Sequence, residues 1–254
     1  MGAIIIPGAD RRLLPGKSHT LLDPRWITVH TMVWDLASCE AYFRRAGNPY
    51  SHLGTGPDGE LRQWQDLRYR AASCRDGNPY SISIENADTG PGYPKWSGSD
   101  VPAFTDDQAD TLVVTLSWLC RRFNLPKVAI GSSCPHERGI GWHRLGVDPW
   151  RNTTCGLRWS SARGKVCPGD RRIHQLLHEI IPAVSAPQPE LIPQEDDMAD
   201  YLAQIDAIYQ TQWNRGLNPG ETIHYVKMLR TKLEGPQFVV NEVARELKHP
   251  PVYT

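Results

Sequence analysis

The chain has 254 residues, with 28 Lys and Arg set against 28 Asp and Glu, which is room for one large core or one domain with an appendage. That balance excludes a global field drawing the protein to nucleic acid or to an anionic membrane. Hydrophobic residues make up 40% of the chain, and no apolar run approaches the roughly 20 residues of a membrane helix, so no membrane insertion is expected.

The opening run Ile4-Ile5-Ile6 has no basic leader and is too short for a secretory signal, so synthesis in the cytosol is expected. The next apolar stretch, Trp26 to His30, is β-branched and alternating, which predicts a strand with Ile27 and Val29 on one face and Thr28 and His30 on the other. Asp35 to Ala46 carries Leu36, Cys39, Tyr42 and Phe43 at helical spacing and is closed by Gly47. Pro57-Asp58-Gly59 is a turn signal between Ser51–Thr55 and Glu60–Trp64 and predicts a hairpin. Ser81 to Glu85 alternates again, with Glu85 opposite Ile82 and Ile84.

Thr105-Asp106-Asp107-Gln108 reads as a capping box, followed by Ala109, Leu112, Val113, Leu116, Cys120 and Phe123 at helical spacing. Lys127 to Ile130 reads as a short buried strand, and Asp170 to Ile181 as a helix capped by Asp170 and ended near Pro182. The order β-α-β-β-β-α-β-α predicts an α/β fold, a mixed central sheet flanked by helices. Prolines 182, 187, 189 and 193 then mark a connector. The expected organisation is a domain over 1–183, a Pro-rich linker over 184–197 and a small all-α module over 198–254. In that module Leu202, Ile205, Ile208 and Tyr209, then Ile223, Val226 and Leu229, then Val239, Val243 and Leu247 recur at helical spacing.

Chemistry concentrates in the first domain. His30 ends one predicted strand and Glu85 ends another, a place where α/β sheets expose residues to a ligand crevice. His143 lies in Gly-Ile-Gly-Trp-His-Arg, and Lys165 stands two residues before Cys167, which is followed by Pro168-Gly169. Two imidazoles and one thiolate make a three-ligand zinc site with an open fourth position. Beside it, Glu85 fits a general base and Lys165 a cation facing a developing oxyanion.

These segments occur in a telling order. Val29-His30-Thr31, Tyr50-Ser51-His52 leading to Asp58-Gly59, Ile82-Ser83-Ile84-Glu85-Asn86, Trp142-His143-Arg144 and Lys165-Val166-Cys167-Pro168-Gly169 together resemble the zinc-dependent N-acetylmuramoyl-L-alanine amidases of type 2. That superfamily also contains the peptidoglycan recognition proteins and many phage endolysins, and the Trp- and Arg-rich stretch from Gly139 to Gly169 looks most like endolysins of mycobacteriophages. The resemblance implies His30, His143 and Cys167 as zinc ligands, Glu85 as general base and Lys165 as stabiliser of the tetrahedral intermediate. His52, Tyr50, Trp142 and Arg144 are expected at the substrate, and His52 is read as orienting another group from inside the sheet in preference to touching metal. The implied activity is cleavage of the amide between N-acetylmuramic acid and L-alanine in peptidoglycan by an endolysin made in the host cytoplasm and released to the wall through a holin. A non-catalytic recognition protein of the same fold and a bacterial remodelling amidase are the alternatives; recognition proteins tend to lose the cysteine ligand. Ser51 stands where relatives commonly have tyrosine, and Ser73 where many have a substrate-contacting histidine.

Other groups admit plainer readings. His136 is the alternative to His143 as second imidazole ligand, and His143 is preferred because Gly-Trp-His-Arg is similar to the family's Gly-His-Arg signature. Cys134, His136 and Cys155 form a weaker candidate for a structural metal site, and the six thinly spread cysteines leave a disulfide framework possible without indicating one. His174 and His178, one helical turn apart, read as a solvated face. Trp96, Trp142, Trp150 and Trp159 divide between a sugar-binding groove and core. Arg144, Arg151, Arg158, Arg163, Arg171 and Arg172 read equally well as a basic surface suited to carboxylates and as a scattered solvated surface. The module over 198–254 is expected to bind cell wall, the alternative being that it packs on the first domain or mediates self-association.

Overall fold

Short, mostly parallel strands form the centre of the unit that ends at Ala186. The computed structural model describes residues 2–88 and 97–186. Its strands are β1 (Asp10–Arg11), β2 (Trp26–Val29), β3 (Leu53–Thr55), β4 (Leu61–Gln63), β5 (Ser81–Asn86) and β6 (Gly139–Trp142), in one sheet of order β1-β4-β3-β5-β2-β6. The β3–β4 hairpin is antiparallel and the other pairs are parallel. With helices α1 (Leu36–Arg44), α2 (Asp106–Arg122), α3 (Asp170–Gln175) and α4 (Ile181–Ser185), this is the mixed α/β architecture that the alternating patterns predict.

Strand alternation sorts the side chains into two layers. Ile27, Val29, Leu53, Ile82, Ile84 and Ile140 pack with Leu112, Leu116 and Leu119 of α2 and with Leu176, Ile180 and Val184. Each such buried side chain contributes roughly 1.5–3 kcal/mol, so this layer fixes the register. Thr28, Ser81, Ser83 and Glu85 therefore share the opposite face. That face is bordered by the Leu36, Phe43 and Trp64 cluster around α1 and by Trp26 stacked near Trp159 at 5.4 Å. Gly54 of β3 approaches the Trp64 ring too closely for any Cβ, which is how α1 and β4 close over this end of the sheet.

Several local expectations are corrected. The capping box at α2 is half formed: Thr105 Oγ1 accepts the Gln108 N–H at 3.1 Å. The Gln108 amide instead donates to Thr55 and to the Ala87 carbonyl, tying α2 to the strands. Residues 127–130 form no strand and pair with β6 through an isolated Ala129–Ile140 bridge. The strand lies in Gly139–Trp142, hidden in the sequence by two glycines, residues depleted from strands. A Cβ on Gly141 would lie 2.7 Å from Ile130 Cδ1, so the close seating of this edge requires glycine.

Gly169, at φ +104°, caps α3 in place of Asp170, whose carboxylate is taken by Arg144 at 2.6 Å. Pro182 does not end the helix. The chain widens into a π turn over Leu176–Ile180 and continues through α4, so proline falls at the start of a new helical segment, where its missing N–H is tolerated. Val184 and Ser185, read as linker, belong to α4. The compact unit closes at Ala186. The rest of the expected linker, the helical module over 198–254 and Trp96 lie outside the described residues. Among the described residues no helix is long and apolar enough to cross a membrane.

Candidate metal centre

The parallel register sets three chemically active side chains abreast. Val29 pairs with Ile84 on one side and with Trp142 on the other, so the next residue of each segment, His30, Glu85 or His143, falls in one row at the carboxyl ends of the strands. The His30 and His143 rings are 4.4 Å apart, and His30 Nδ1 is 3.7 Å from Glu85 Oε1. Cys167 arrives from the loop ahead of α3, where its Sγ accepts the N–H of Thr31 at 3.3 Å. One donor atom each from His30, His143 and Cys167 lies within 4.8 Å of the others, and all three residues are buried.

The loop that brings Cys167 is fastened by Arg144. Its Nε and Nη2 donate to the Val166 carbonyl at 3.1 and 2.6 Å, and its Nη1 donates to Asp170. His143 is oriented in turn by Trp159, whose carbonyl stands 3.0 Å from Nε2. A carbonyl only accepts, so Nε2 carries the proton and Nδ1 presents a lone pair. That Nδ1 is buried with no hydrogen-bond partner, a costly arrangement unless another group takes the lone pair.

Burial sets the charge states here. It lowers His143 to about 3 and His30 well below the ordinary imidazole range, with the Lys165 ammonium reinforcing both. The rings are therefore neutral and the His30–Glu85 approach is not an ion pair. Burial also raises Glu85 to about 7, against the pull of Lys165 and of the Ser51 hydroxyl, which donates to Oε1 at 3.2 Å. Cys167 is pushed up to about 12 by burial, so its thiol ionises only beside added positive charge. Two neutral imidazoles, one with an orphaned lone pair, and such a thiol fit a zinc ion with an open coordination position.

The family model for N-acetylmuramoyl-L-alanine amidase matches residues 20–170, a span containing every residue of this row together with Lys165 and Cys167. The chain belongs to this amidase family. No curated protein matches its sequence. Among solved structures it is similar to PlyL, at 18% identity over 70% of this chain and 97% of that one, with a TM-score of 0.46. It is also similar to the N-acetylmuramoyl-L-alanine amidase LysC from Clostridium intestinale, at 13% identity over 66% and 93%, with a TM-score of 0.42. A third is the drosophila peptidoglycan recognition protein SD, at 13% identity over 65% and 87%, with a TM-score of 0.41.

Not every residue expected at the substrate in this family member is free to reach it. His52 is fully buried; its Nδ1 accepts the Ser83 N–H at 3.0 Å and its Nε2 donates to the Tyr69 carbonyl at 2.9 Å. The buried Tyr50 hydroxyl accepts the Ser18 N–H at 3.0 Å and lies 3.3 Å from the Arg70 carbonyl. Both side chains are spent inside the fold. The Arg144 guanidinium is committed to its loop and stacks 4.9 Å from Trp150, and Trp142 packs half-buried on the main core. Of the other tryptophans, Trp159 is buried and Trp150 is exposed.

His52 carries a stability prediction. Burial lowers it from 6.5 to about 4, so between these values the unfolded chain binds a proton that the native state refuses. Its contribution is complete above pH 6.5 and is lost as pH falls toward 4, on the order of 3 kcal/mol. Denaturant midpoints measured from pH 7 down to 4 should fall less steeply for His52→Gln than for the unaltered protein; parallel slopes would refute this.

The alternative metal cluster is ruled out by covalent chemistry. Cys134 and Cys155 form a disulfide, which leaves neither sulfur free to ligate beside the exposed His136. The β2–β6 register, not this disulfide, sets His143 rather than His136 in the row. His174 of α3 and His178 of the π turn after it are exposed neighbours, rings 4.4 Å apart, and no third ligating group joins them among the described residues. Three features went unread in the sequence: the disulfide, the buried Cys74 beside His30, and Arg172, which is buried rather than part of a basic surface.

Proposed function

We propose that the protein cleaves the amide joining the lactyl group of N-acetylmuramic acid to L-alanine of the peptidoglycan stem, as a zinc-dependent phage endolysin released to the host wall through a holin. The observation that carries this reading is the convergence of His30, His143 and Cys167 beside the row that ends in Glu85. The endolysin assignment is supported by the likeness of the Gly139–Gly169 stretch to mycobacteriophage enzymes. His30, His143 and Cys167 would hold the zinc, which supplies Lewis acidity to a carbonyl and to an attacking water.

Glu85, raised toward neutrality, takes a proton from the water as the new C–O bond forms. It then returns that proton to the L-alanine nitrogen as the C–N bond breaks, leaving a carboxylic acid on the lactyl group and a free amine on the peptide. Lys165 stabilises the oxyanion between these steps. The segment 198–254 is proposed to hold the enzyme on the wall.

Purified protein should contain about one zinc per chain, and Cys167→Ala should lose it. The unaltered protein should clear wall suspensions, with new L-alanine amino termini and no new reducing sugars. A zinc-free protein that binds walls without clearing them would favour recognition over catalysis, and new reducing sugars would assign a different bond. Wall retention of the full chain but not of a chain ended at Ala186 is the result expected of the C-terminal segment; equal retention would reject its role.

A further inference from the structure

His30 is backed by a thiol that the reaction leaves unused. Cys74 is fully buried, ahead of a 3-10 turn at Arg75–Gly77, and its Sγ lies 3.3 Å from His30 Nε2. The other ring nitrogen, Nδ1, faces Glu85. Since the two nitrogens of an imidazole point to different sides of the ring, the sulfur cannot join a metal held on Nδ1. It acts on the ring from behind.

The sulfur is itself held in place. Asn78 Oδ1 accepts the N–H groups of Ser73 and Cys74 at 3.0 and 2.6 Å, which fixes the backbone. The Ser73 hydroxyl donates to the sulfur at 3.7 Å. On the sheet side the Ser81 hydroxyl lies 3.6 Å from the sulfur and is paired with Thr28 Oγ1 at 2.7 Å. This parallels His143, whose Nε2 is held by a backbone carbonyl. A metal-binding imidazole needs its remote N–H accepted, because that bond selects the tautomer and aims the ring. The buried His30 ring has Cys74 as its Nε2 neighbour in the hydrogen-bond network.

We propose that Cys74 is the positioning residue for His30: its sulfur accepts the Nε2–H and so keeps Nδ1 bare and aimed at the site. The proposal rests on the zinc reading of that site, and the following experiment separates the two. In full-length protein, Cys74→Ala removes the acceptor and Cys74→Ser restores one of similar size. Zinc affinity, measured by competition with a chromophoric chelator, should fall about 10–100-fold in Cys74→Ala and recover most of that loss in Cys74→Ser. In cobalt-substituted protein the thiolate charge-transfer band should persist in Cys74→Ala and vanish in Cys167→Ala.

Nitrogen–proton correlation NMR of the metal-free protein gives a reading independent of metal. His30 should be a single Nε2–H tautomer in the unaltered chain and a mixture in Cys74→Ala. Unaltered protein that binds no zinc overturns the metal reading, while the tautomer spectra still decide the role of Cys74. Normal zinc binding with an unchanged affinity in Cys74→Ala overturns the positioning role alone. Equal weakening in both variants, or loss of the cobalt band in Cys74→Ala, overturns it as well, the latter by making Cys74 a ligand.

Discussion

Glu85→Gln is expected to slow L-alanine release from purified walls by on the order of 10³-fold, with zinc content unchanged. Glutamine keeps the length of the side chain and leaves an oxygen for the Ser51 hydroxyl, so the local packing survives. It has no basic site with which to accept a proton from water. The carboxylate lies 3.7 Å from His30, within reach of a water seated beside the ligand row, and burial brings its pKa to about 7. A group acting as base works only when ionised, so the rate of the unaltered enzyme should rise with pH through a limb at or below pH 7, since a bound cation favours the carboxylate. That limb should disappear in the variant. Initial rates and metal analysis on the same preparations check the result, and a variant retaining a tenth of the rate would remove Glu85 from the proton transfers.

The residues that form the row were legible in the sequence because each ends an element with strong local signal. Ile27 and Val29 alternate on β2 and Ile82 and Ile84 on β5, so the strand ends, and with them His30 and Glu85, follow from period-two patterning. The third member was reached by a motif rather than by an element, since Gly139 and Gly141 conceal β6. What brings Cys167 to Thr31 is a contact across 136 residues, which no local pattern encodes. The same limit hid the disulfide, whose partners are separated by 21 residues and carry no spacing signature.

His52 takes the interior role of its two readings rather than the one at the substrate: a histidine beside a strand looks the same in sequence whether its nitrogens face substrate or the Ser83 N–H and Tyr69 carbonyl. Arg172 did carry a readable signal. Positions 172, 176 and 180 fall on one helical stripe, and Leu176 and Ile180 are core residues, so an arginine in that line had to enter the interior.

The consequence is a large stability effect at a site that the chemistry never touches. Arg172→Met is expected to cost roughly 3–5 kcal/mol and to lower Tm by roughly 10 °C or more. The guanidinium donates to the Pro102 carbonyl at 3.0 Å, to Thr31 Oγ1 at 2.8 Å and to the Asn86 and Ala87 carbonyls at 2.9 Å each. It also lies 4.6 Å from the centre of the Phe104 ring. Burial lowers its pKa only to about 10, so it stays charged at neutral pH, balanced by the nearby Asp88. Methionine replaces the aliphatic stem yet deprives all four acceptors of this donor, whereas Arg172→Lys restores one or two and should recover part of the loss. Thr31 links this tether to the metal centre, because its N–H holds Cys167 Sγ. Zinc affinity measured well below the variant's Tm should therefore fall too. Thermal unfolding of the two variants decides the matter: a Tm for Arg172→Met close to that of the unaltered protein would mean that the guanidinium is solvated and not the bolt between α3 and the ends of β2 and β5.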